Sequence, residues 1–345
     1  MIEAGILGAT GLVGQKIVKL LDGHPWFNVI AVAASERNVG RKYRDAVKYR
    51  VQGDVPSNVA DQEIVDIEPK AMDKADVIFS ALPAEIANRK EEDFAQAGKI
   101  VVSNASAHRM DPDVPLLNPE INSEHLALID DQRRKRKWDG AIVTNPNCST
   151  TILSLSLKPI YDKFGIVNVF VSTMQALSGA GFPGVASLDI LDNTIPFIRG
   201  EEEKMEYETP KILGSVTKPA DFKVSASCHR VPVVDGHMEA VFLETKQKAR
   251  VDAVIQAMED FSGEPQKLGL PSAPMKPIVV KRERDRPQTK LDRLEGRGMS
   301  VTVGRIRREG IHEGIKYIVL GHNIIRGAAG CSILNAELLK SKRYI

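Results

Sequence analysis

One of the three cysteines in this chain lies in a polar segment that suits nucleophilic sulfur chemistry. Cys148 occupies the run Asn-Pro-Asn-Cys-Ser-Thr-Thr at residues 145–151, between an apolar strand pattern and a helical pattern. A helix N-terminus stabilises the thiolate, which is the reactive form of cysteine. A single cysteine is more often a small core residue, but these polar neighbours make a poor core. We therefore predict that Cys148 is a nucleophile and that Cys228 and Cys331 are structural.

A glycine-rich turn near the N-terminus is suited to holding a phosphate-bearing cofactor. Glycines recur at positions 8, 11 and 14, after the strand pattern Ile2–Leu7 and at the start of a helical pattern. Glycines permit a tight turn and bring backbone N–H groups close to a pyrophosphate at the helix N-terminus. The GxxGxxG spacing departs from the usual GxGxxG, but the strand–turn–helix context predicts a dinucleotide site. The residues expected to contact the cofactor there are Gly8, Thr10, Gly11, Leu12 and Val13.

The end of the second strand pattern bears on the choice of cofactor. An acidic residue at this place usually binds the ribose 2′-hydroxyl of NAD. Here the chain reads Ala-Ala-Ser-Glu-Arg at residues 33–37. Ser35 can donate a hydrogen bond and Arg37 can supply charge to a 2′-phosphate, whereas Glu36 is ambiguous unless it points to solvent. These residues favour NADP over NAD.

A nucleophilic thiol beside a nicotinamide indicates one type of reaction. The thiolate adds to an aldehyde or acyl group, and the covalent adduct exchanges a hydride with the cofactor. Such a reaction calls for a proton shuttle. His237 follows the turn Asp235-Gly236 and precedes a strand pattern, so it is an accessible candidate. Because an isolated histidine is more often structural, the pattern alone does not assign the role.

Strand and helix patterns alternate through the first half of the chain. Strands are expected at Ile2–Leu7, Val29–Ala34, Val77–Leu82, Ile100–Ser103 and Ala141–Val143, and a helix is expected over about residues 150–164. This alternation predicts an α/β domain with a parallel sheet and crossover helices, which is a Rossmann-type arrangement.

The pattern changes after residue 164 towards strands with fewer long helices. Strands are expected at Val167–Gln175, Phe222–Ala226, Met238–Lys246, Ile278–Lys281, Met299–Arg305 and Tyr317–Gly321. We expect a second, α+β domain with a mostly antiparallel sheet. A final helix is expected over Ile324–Leu339.

Length and composition limit the alternatives. The 345 residues predict two domains, at roughly 150 residues per domain. Positive and negative residues nearly cancel, 47 against 45, so no overall field favours nucleic acid or a membrane as partner. The basic run at residues 133–137 is interpreted as a solvated helix end. Three cysteines without CxxC spacing disfavour disulfides and a metal site, and together with the lack of a signal-like N-terminus they indicate a cytoplasmic protein.

Five short segments spread along the chain carry a family resemblance. They are Gly8–Gly14, Ser103–Ser106, Asn145–Thr151, Gln175–Gly181 and Asn323–Gly330. Together they resemble the aspartate-semialdehyde dehydrogenase family, in its archaeal and fungal branch, and the resemblance runs essentially end to end. The cysteine motif and the Ser-Gly-Ala-Gly segment are specific, whereas the first glycine motif is shared by several reductases.

The resemblance implies a reversible reductive dephosphorylation. L-4-aspartyl phosphate and NADPH would give L-aspartate 4-semialdehyde, phosphate and NADP, a step in lysine, threonine and methionine biosynthesis. By resemblance, Cys148 would form an acyl thioester, His237 would be the general acid/base, and Gln175 would orient the substrate near the thiol.

The resemblance also implies a set of substrate-binding residues. Arg230 would hold the substrate α-carboxylate through a bidentate pair, and Glu201 would take the amino group. Arg109 would be the main phosphate ligand with help from Lys204, and Asn104 would contact the substrate. The choice among the three consecutive glutamates that begin at Glu201 stays open.

The resemblance extends to cofactor contacts, domains and assembly. It adds Ser80, Ser178, Gly179 and Asn323 to the cofactor contacts, with Asn323 by the nicotinamide carboxamide. It implies an NADP-binding domain of residues 1–147 and 322–345 and a catalytic and dimerisation domain of residues 148–321. Family members form dimers or tetramers, so a homodimer or homotetramer is expected.

Three alternatives remain open at this stage. A malonyl-CoA or succinyl-CoA reductase of the same fold would use a CoA thioester instead of an acyl phosphate. An N-acetyl-glutamyl-phosphate reductase has a different cysteine context. A non-catalytic NADP-binding protein could keep the glycine turn and lose the thiol, but this chain retains Cys148, His237 and Arg230 together.

Overall fold

The computed structural model describes residues 1–310 and 314–345. In chain order its strands are β1 (Ile2–Leu7), β2 (Phe27–Ala33), β3 (Ile64–Val65), β4 (Val77–Ser80), β5 (Ile100–Ser103), β6 (Ala141–Thr144), β7 (Ile166–Gln175), β8 (Lys223–Arg230), β9 (His237–Thr245), β10 (Ile278–Val280), β11 (Val301–Arg308) and β12 (Ile315–Gly321). Its α-helices are α1 (Leu12–Leu20), α2 (Tyr43–Ala46), α3 (Ser57–Ala60), α4 (Ala84–Gln96), α5 (Leu128–Arg136), α6 (Cys148–Phe164), α7 (Ser187–Ile190), α8 (Glu201–Leu213), α9 (Val251–Glu259), α10 (Glu264–Lys267), α11 (Thr289–Asp292) and α12 (Gly330–Ser341). A π-helical segment, Ile325–Ala329, precedes the last helix.

The chain divides into two compact units. The first contains Met1–Leu117, Glu124–Asn145 and Ala328–Ile345, and the second contains Asn118–Ser123 and Pro146–Gly327. The division expected from the sequence places its limits at residues 147 and 322. The units of the structure change at 145/146 and 327/328 instead, and they assign residues 118–123 to the second unit.

The first unit is built on a parallel sheet. Its strand order is β3-β2-β1-β4-β5-β6, and neighbouring strands run parallel. Every residue of β4, β5 and β6 is buried, as in parallel sheets that are covered on both faces. The strand order reverses between β1 and β4, and ligands of such sheets bind outside the carboxyl ends of the strands at this point. The α/β prediction is confirmed.

The second unit is built on a mixed sheet in the order β10-β11-β12-β9-β7-β8. The β11–β12, β12–β9 and β9–β7 pairs are antiparallel, and the β10–β11 and β7–β8 pairs are parallel. In β9 the odd-numbered residues 237–243 are buried while Phe242 is exposed. This alternation gives the sheet one buried face, so the face that holds His237 also belongs to the core.

Several predicted elements need correction in detail. The sequence patterns did not place a helix at α8, although Glu201–Leu213 is helical. The strand expected at 222–226 is longer and reaches Arg230. The helix expected over Ile324–Leu339 begins as a π-helical segment and becomes an α-helix only at Gly330.

The basic run at 133–137 closes α5, and its last helical residue is not a free surface cation. Lys137 follows the helix with a left-handed φ of 56°. Arg136 is largely buried and forms ion pairs with Asp111 at 2.7 Å, Asp113 at 2.7 Å and Glu92 at 2.9 Å. The helix end was therefore predicted correctly. Arg136, however, forms ion pairs with three carboxylates instead of being solvated.

The described residues contain neither a membrane-spanning helix nor a cluster of metal-ligating side chains. Within residues 1–310 and 314–345 no helix is long and apolar enough to cross a bilayer. In the same ranges no group of three or more His, Cys, Asp or Glu side chains is arranged to hold a metal ion.

Candidate active site

Cys148 begins α6, and the residue before it caps that helix. Asn147 Oδ1 accepts hydrogen bonds from Ser149 N at 2.9 Å and Thr150 N at 3.1 Å. The cap leaves the sulfur at the positive end of a 17-residue helix, where a negative charge is stabilised. Cys148 is half-buried. The structure thus places this thiol where a thiolate is both favoured and accessible.

His237 faces the thiol. Its Nε2 lies 3.2 Å from Cys148 Sγ, and its Nδ1 accepts a hydrogen bond from Ala176 N at 3.0 Å. Complete burial lowers the pKa of His237 to about 3, and the positive charges of Arg230 and His322 act in the same direction. The imidazole is therefore neutral at physiological pH. The structure brings these two predicted residues together although 89 positions separate them.

The other two cysteines lack this setting. Cys228 is fully buried with its sulfur 3.7 Å from Met205 Sδ. Burial raises the pKa of the Cys228 thiol to about 12. Cys331 is also fully buried. Neither has the exposure that a reactive thiolate needs, which supports their structural assignment.

Arg230 and Gln175 end two neighbouring strands. They face each other in the β7–β8 register. Arg230 Nη1 donates to Ala176 O at 2.6 Å, and Gln175 Nε2 donates to Thr173 Oγ1 at 3.2 Å. Burial lowers the pKa of the Arg230 guanidinium, and that cost favours an anionic partner for its remaining donors.

Gly179 lies against both basic groups of the site. A Cβ at this position would be 2.9 Å from Arg230 Nη1 and 3.2 Å from His237 Nε2. Only a residue without a side chain therefore lets the backbone pass so close to Arg230 and His237. The preceding residue, Ser178, accepts a hydrogen bond from Asn323 Nδ2 at 2.8 Å, and Asn323 Oδ1 accepts one from Gly236 N at 2.8 Å.

Two glutamates of α8 hold Asn147, the residue that caps α6. Asn147 Nδ2 donates to Glu201, and Asn147 N donates to Glu208 Oε2 at 2.7 Å. Lys204 Nζ lies 3.7 Å from Glu201 Oε2. Glu202 instead accepts from Cys228 N. Of the three consecutive glutamates, Glu201 is thus the one that contacts the residue next to the nucleophile.

Gly327 is a site residue that sequence reasoning missed. A Cβ there would lie 2.6 Å from Cys148 Cβ and 2.9 Å from Cys148 Cα. Gly327 N bonds to His322 O at 3.1 Å, in the π-type segment that follows Asn323. Gly327 lies within the segment Asn323–Gly330, which carries part of the family resemblance. Because glycine has no side chain, its residue type indicates no chemical role. Its role is to let the backbone contact the nucleophile.

Glu239 is the second residue that sequence reasoning missed. It follows His237 by two positions on β9, so both side chains lie on the buried face. Glu239 is fully buried, and neither of its carboxyl oxygens has a hydrogen-bond partner among residues 1–310 and 314–345. Burial, reinforced by the charge of Glu201, raises the pKa of Glu239 well above its ordinary value. The folded protein therefore holds Glu239 as a neutral acid.

Replacing this acid is expected to stabilise the protein at neutral and alkaline pH. A carboxyl with a raised folded-state pKa carries no penalty below its unfolded pKa of about 4.3. Above that pH the unfolded chain loses the proton first, so stability falls by about 1.4 kcal/mol per pH unit until the folded pKa is reached. Glu239→Gln removes this dependence, and urea unfolding of variant and parent from about pH 4.5 to 8.5 should show a difference that widens with pH.

A matched control distinguishes burial from a general effect of removing charge. Glu244 lies on the same strand and accepts from Asn168 Nδ2 at 3.3 Å. Glu244→Gln makes the same substitution at a less buried position, and we expect only a small change in stability. A stability difference for Glu239→Gln that is equal at all pH values contradicts the assignment of a neutral buried acid.

The glycine turn of the first unit fits a dinucleotide phosphate. Gly8 has a φ of +73°, and a Cβ on it would lie 2.6 Å from Ala81 O. A Cβ at Gly14 would lie 2.3 Å from Gly8 O. Gly11 caps α1 without a side chain, so the first-turn amides of Leu12 and Val13 are presented to a ligand. Gly11 N donates to Gly8 O at 3.0 Å and closes the turn, and a glycine turn at a helix N-terminus suits pyrophosphate binding.

The residues expected to read the 2′-phosphate follow β2. Ser35 lies two residues after the end of β2 and immediately precedes the short 3₁₀ turn Glu36–Asn38, which contains Arg37. Ser35, Glu36 and Arg37 are all exposed. Because the side chain of Glu36 is exposed, its carboxylate can point to solvent and need not oppose a bound 2′-phosphate.

Asn104 and Ser80 are tied into the frame of the first unit. Asn104 Nδ2 donates to Ser80 O at 3.0 Å, and Asn104 Oδ1 accepts from Asn145 Nδ2 at 2.9 Å and Ser332 Oγ at 3.1 Å. The oxygen of Asn104 is therefore used within the protein, which gives this residue a structural role. Its expected contact with substrate is limited to the remaining amide hydrogen.

Arg109 lies next to a buried acid in the first unit. Its Nη2 donates to Asn104 O at 2.8 Å. Glu91 is completely buried and accepts from Ser103 Oγ at 2.7 Å. Burial raises the pKa of Glu91, while the charges of His108 and Arg109 oppose that rise. The guanidinium of Arg109 is thus held near the ends of β4 and β5, where ligands of such sheets bind.

The sequence matches two profiles of one family. Residues 3–129 match "Semialdehyde dehydrogenase, NAD binding domain", and residues 157–326 match "Semialdehyde dehydrogenase, dimerisation domain". The chain belongs to the semialdehyde dehydrogenase family. The two matches agree with the order of its two units, a parallel dinucleotide-type sheet followed by a mixed sheet.

Several relatives align with this semialdehyde dehydrogenase over nearly its whole length. It is 55% identical over 344 residues to the aspartate-semialdehyde dehydrogenase of Methanothermobacter thermautotrophicus, covering 98% of this chain and 99% of that protein. It is 45% identical to the enzyme of that name from Schizosaccharomyces pombe, over 99% of this chain and 98% of the relative. It is 43% identical to the malonyl CoA reductase (NADP) of Metallosphaera sedula, over 100% of this chain and 98% of the relative.

A solved structure of the family matches the fold closely. The aspartate semialdehyde dehydrogenase of Candida albicans, determined with NADP, superposes with a TM-score of 0.92 at 41% identity. All of both chains is covered. The aspartate semialdehyde dehydrogenase II of Vibrio cholerae gives a TM-score of 0.79 at 29% identity, over 99% of this chain and 98% of that one.

Proposed function

We propose that this chain is an NADP-dependent aspartate-semialdehyde dehydrogenase. It would interconvert L-4-aspartyl phosphate and L-aspartate 4-semialdehyde, with NADPH and NADP as the redox pair and phosphate as the second product. The observation that carries the proposal is the Cys148–His237 pair at a helix N-terminus, in a chain 55% identical to an enzyme of this name. The activity belongs to lysine, threonine and methionine biosynthesis.

In the oxidative direction Cys148 acts first. Its thiolate, stabilised by the α6 N-terminus, adds to the aldehyde carbon and places the former carbonyl oxygen near His237 Nε2. The acceptor for the hydride that leaves this carbon would be supplied by the nicotinamide of bound NADP. Cys148 then holds the acyl group as a thioester, and phosphate releases it as the acyl phosphate while sulfur leaves as the thiolate.

The remaining residues of the site bind and orient the substrate. Arg230 is proposed to hold the α-carboxylate and Glu201 the amino group, because each is buried and close to the nucleophile or its cap. Gln175 is proposed to orient the substrate, with Lys204 and Arg109 as phosphate ligands. Asn104 is retained as a weaker candidate because its oxygen is already used.

The cofactor contacts are proposed residue by residue. The glycine turn Gly8–Val13 would hold the pyrophosphate, Ser35 and Arg37 the 2′-phosphate, and Ser80 would lie beside the dinucleotide. Ser178 and Gly179 are assigned to the ribose side and Asn323 to the carboxamide. We assign residues 1–147 with 322–345 to cofactor binding and residues 148–321 to catalysis and dimerisation.

The protein is proposed to work as a homo-oligomer in the cytoplasm. One profile match is to a dimerisation domain. The outer face of the second sheet carries the exposed cross-strand pair Phe170 and Phe242. Exposed apolar side chains of this kind mark interaction surfaces, and we assign this face to a second copy of the chain. Sedimentation would distinguish a dimer from a tetramer. The three free cysteines fit a reducing compartment such as the cytoplasm.

One assay separates this function from its nearest alternative. With L-aspartate 4-semialdehyde and NADP, the reduction of NADP should depend on phosphate, or on arsenate in its place. Malonyl-CoA with NADPH should give no turnover above background. Phosphate-independent oxidation, or CoA-dependent formation of an acyl-CoA, would assign the chain to the thioester-using reductases, to which its 43% identical relative belongs.

Arg37→Ala is expected to weaken NADP binding much more than NAD binding. The change removes a charged hydrogen bond to the 2′-phosphate, worth about 1.5–3 kcal/mol, or roughly tenfold to a hundredfold in Kd. Titration of each cofactor by calorimetry measures the two effects. Arg44→Ala is the control, since Arg44 is exposed and pairs with Asp61. Equal losses for the two cofactors would show that Arg37 does not read the 2′-phosphate.

A further inference from the structure

A buried tyrosine contacts the glycine turn from the interior of the first unit. Tyr43 begins α2, in the segment between β2 and β3, and its side chain is fully buried. Its hydroxyl donates a hydrogen bond to Ala9 O at 2.9 Å, and Ala9 lies between the first two glycines of the turn. Burial raises the pKa of the Tyr43 phenol, so this hydroxyl keeps its proton and remains a donor at physiological pH.

The hydrogen bond fixes the orientation of the peptide that joins Ala9 to Thr10. This peptide is trans, and in a trans peptide the C=O and N–H groups point in opposite directions. Because Ala9 O points inward at the Tyr43 hydroxyl, Thr10 N–H must point away from the interior. Ala9 is buried and Thr10 is half-buried, which agrees with that direction.

The amides on either side of Thr10 N–H are already used within the protein. Ala9 N donates to Ala33 O at 3.0 Å, and Gly11 N donates to Gly8 O at 3.0 Å. Thr10 N–H itself donates to no acceptor within residues 1–310 and 314–345. It therefore joins the first-turn amides of α1 as a donor that the turn offers to an anion.

Tyr43 is held in place by the edge of the parallel sheet. Its N–H donates to Gln62 O at 2.8 Å, and its carbonyl accepts from Val47 N at 2.9 Å. Just before it, Arg41 O accepts from Ile64 N of β3 at 2.9 Å. The backbone on both sides of Tyr43 is thus fixed, so its hydroxyl gives Ala9 O a rigid support.

We propose that Tyr43 is a positioning residue for the cofactor: its hydroxyl holds Ala9 O so that Thr10 N–H is directed at the pyrophosphate. The inference rests on the cofactor contacts proposed above for the glycine turn. Tyr43 acts through the peptide and touches no cofactor atom. Its effect falls on NADP and NAD alike, because both carry the same pyrophosphate. Arg37, in contrast, is assigned to the 2′-phosphate that only NADP carries.

Tyr43→Phe tests this role by removing one oxygen atom and keeping the ring. Without the hydroxyl, the Ala9–Thr10 peptide is free to turn, and binding must then order it. We expect the Kd values of NADP and NAD to rise together by about five- to tenfold, as for one lost hydrogen bond. Calorimetric titration of the folded variant measures both. Unchanged Kd values, or a loss confined to NADP, would overturn the proposal.

Tyr49 provides a matched control in the same stretch of chain. Its hydroxyl oxygen is buried and has no hydrogen-bond partner among the described residues. Tyr49→Phe therefore removes the same atom without releasing the glycine turn, and both cofactors should bind as they do to the parent. Equal losses in the two variants would attribute the effect to a general loosening of this segment, which contradicts a specific role for Tyr43.

Adenosine 2′-monophosphate separates the aim of the turn from damage to the whole site. This ligand carries the 2′-phosphate but no pyrophosphate, so Tyr43→Phe should leave its Kd unchanged while NADP binding weakens. A matching loss for both ligands would show that the substitution disturbs the nucleotide site as a whole, and the proposal would then fail. Because these titrations contain no acyl substrate, their result stands even if the assay assigns another substrate to the enzyme.

Discussion

Cys148→Ser is expected to reduce turnover by about a thousandfold or more while leaving NADP binding intact. A serine hydroxyl at the α6 N-terminus stays protonated at neutral pH, whereas the thiol there ionises readily. The group that forms the covalent adduct is therefore lost, but the glycine turn of the first unit is unchanged. Steady-state rates with phosphate, aldehyde and NADP, together with calorimetric titration of NADP, measure the two effects separately.

The chain supplies its own control for this substitution. Cys228→Ala removes a thiol of the same unit that is fully buried beside Met205, and it should keep most of the parent activity. Iodoacetamide should label Cys148 much faster than Cys228 or Cys331, because both of these are buried. Near-parental turnover in Cys148→Ser, with normal NADP binding, would exclude Cys148 as the nucleophile.

Arg326→Met is expected to cost about 3–5 kcal/mol of stability, the largest effect predicted for a single residue outside the site chemistry. Arg326 and Glu120 have side chains with no exposed surface and form a two-pronged ion pair, with both N–O distances at 2.7 Å. Arg326 also donates to Asn118. Removing the arginine leaves a carboxylate buried without its counter-charge, which costs more than the lost contact itself.

The pH dependence of this loss identifies its cause. Without Arg326, burial disfavours the charged form of the Glu120 carboxyl. The penalty should then be small in acid, where carboxyls are protonated, and increase as pH rises towards neutral. Urea unfolding of Arg326→Met at several pH values measures it, and adding Glu120→Gln should recover part of the loss at neutral pH. A loss that is independent of pH and unaffected by the second change would argue for a packing defect instead.

Much of the fold could be predicted because the relevant signals are local. The strands Ile2–Leu7 and Ile100–Ser103 have the predicted bounds, since a short apolar run between turn residues is a complete signal for a buried strand. The helix α8 was missed because its sequence is polar and contains Pro210. Its stability comes from packing on neighbouring elements, and packing leaves only a weak trace in a single sequence.

The sequence by itself indicated the candidate nucleophile, the glycine turn and the order of the two kinds of sheet. Each of these depends on residues that are close along the chain: a cysteine in a polar strand–helix junction, glycines at a strand–turn–helix junction, and the periodicity of apolar residues. Local sequence is sufficient for such features because the same backbone segment both carries the residues and sets their conformation.

Only the tertiary structure decided which side chains meet the nucleophile. His237 reaches Cys148 across 89 positions, Glu201 reaches the cap of its helix across 54, and Gly327 contacts it through backbone alone. The raised pKa of Glu239 and the lowered pKa of His237 depend on what surrounds each group after folding. Burial is a property of the packed molecule. Residues far apart in sequence must first be brought together before they can exclude water from a titratable group and so shift its pKa.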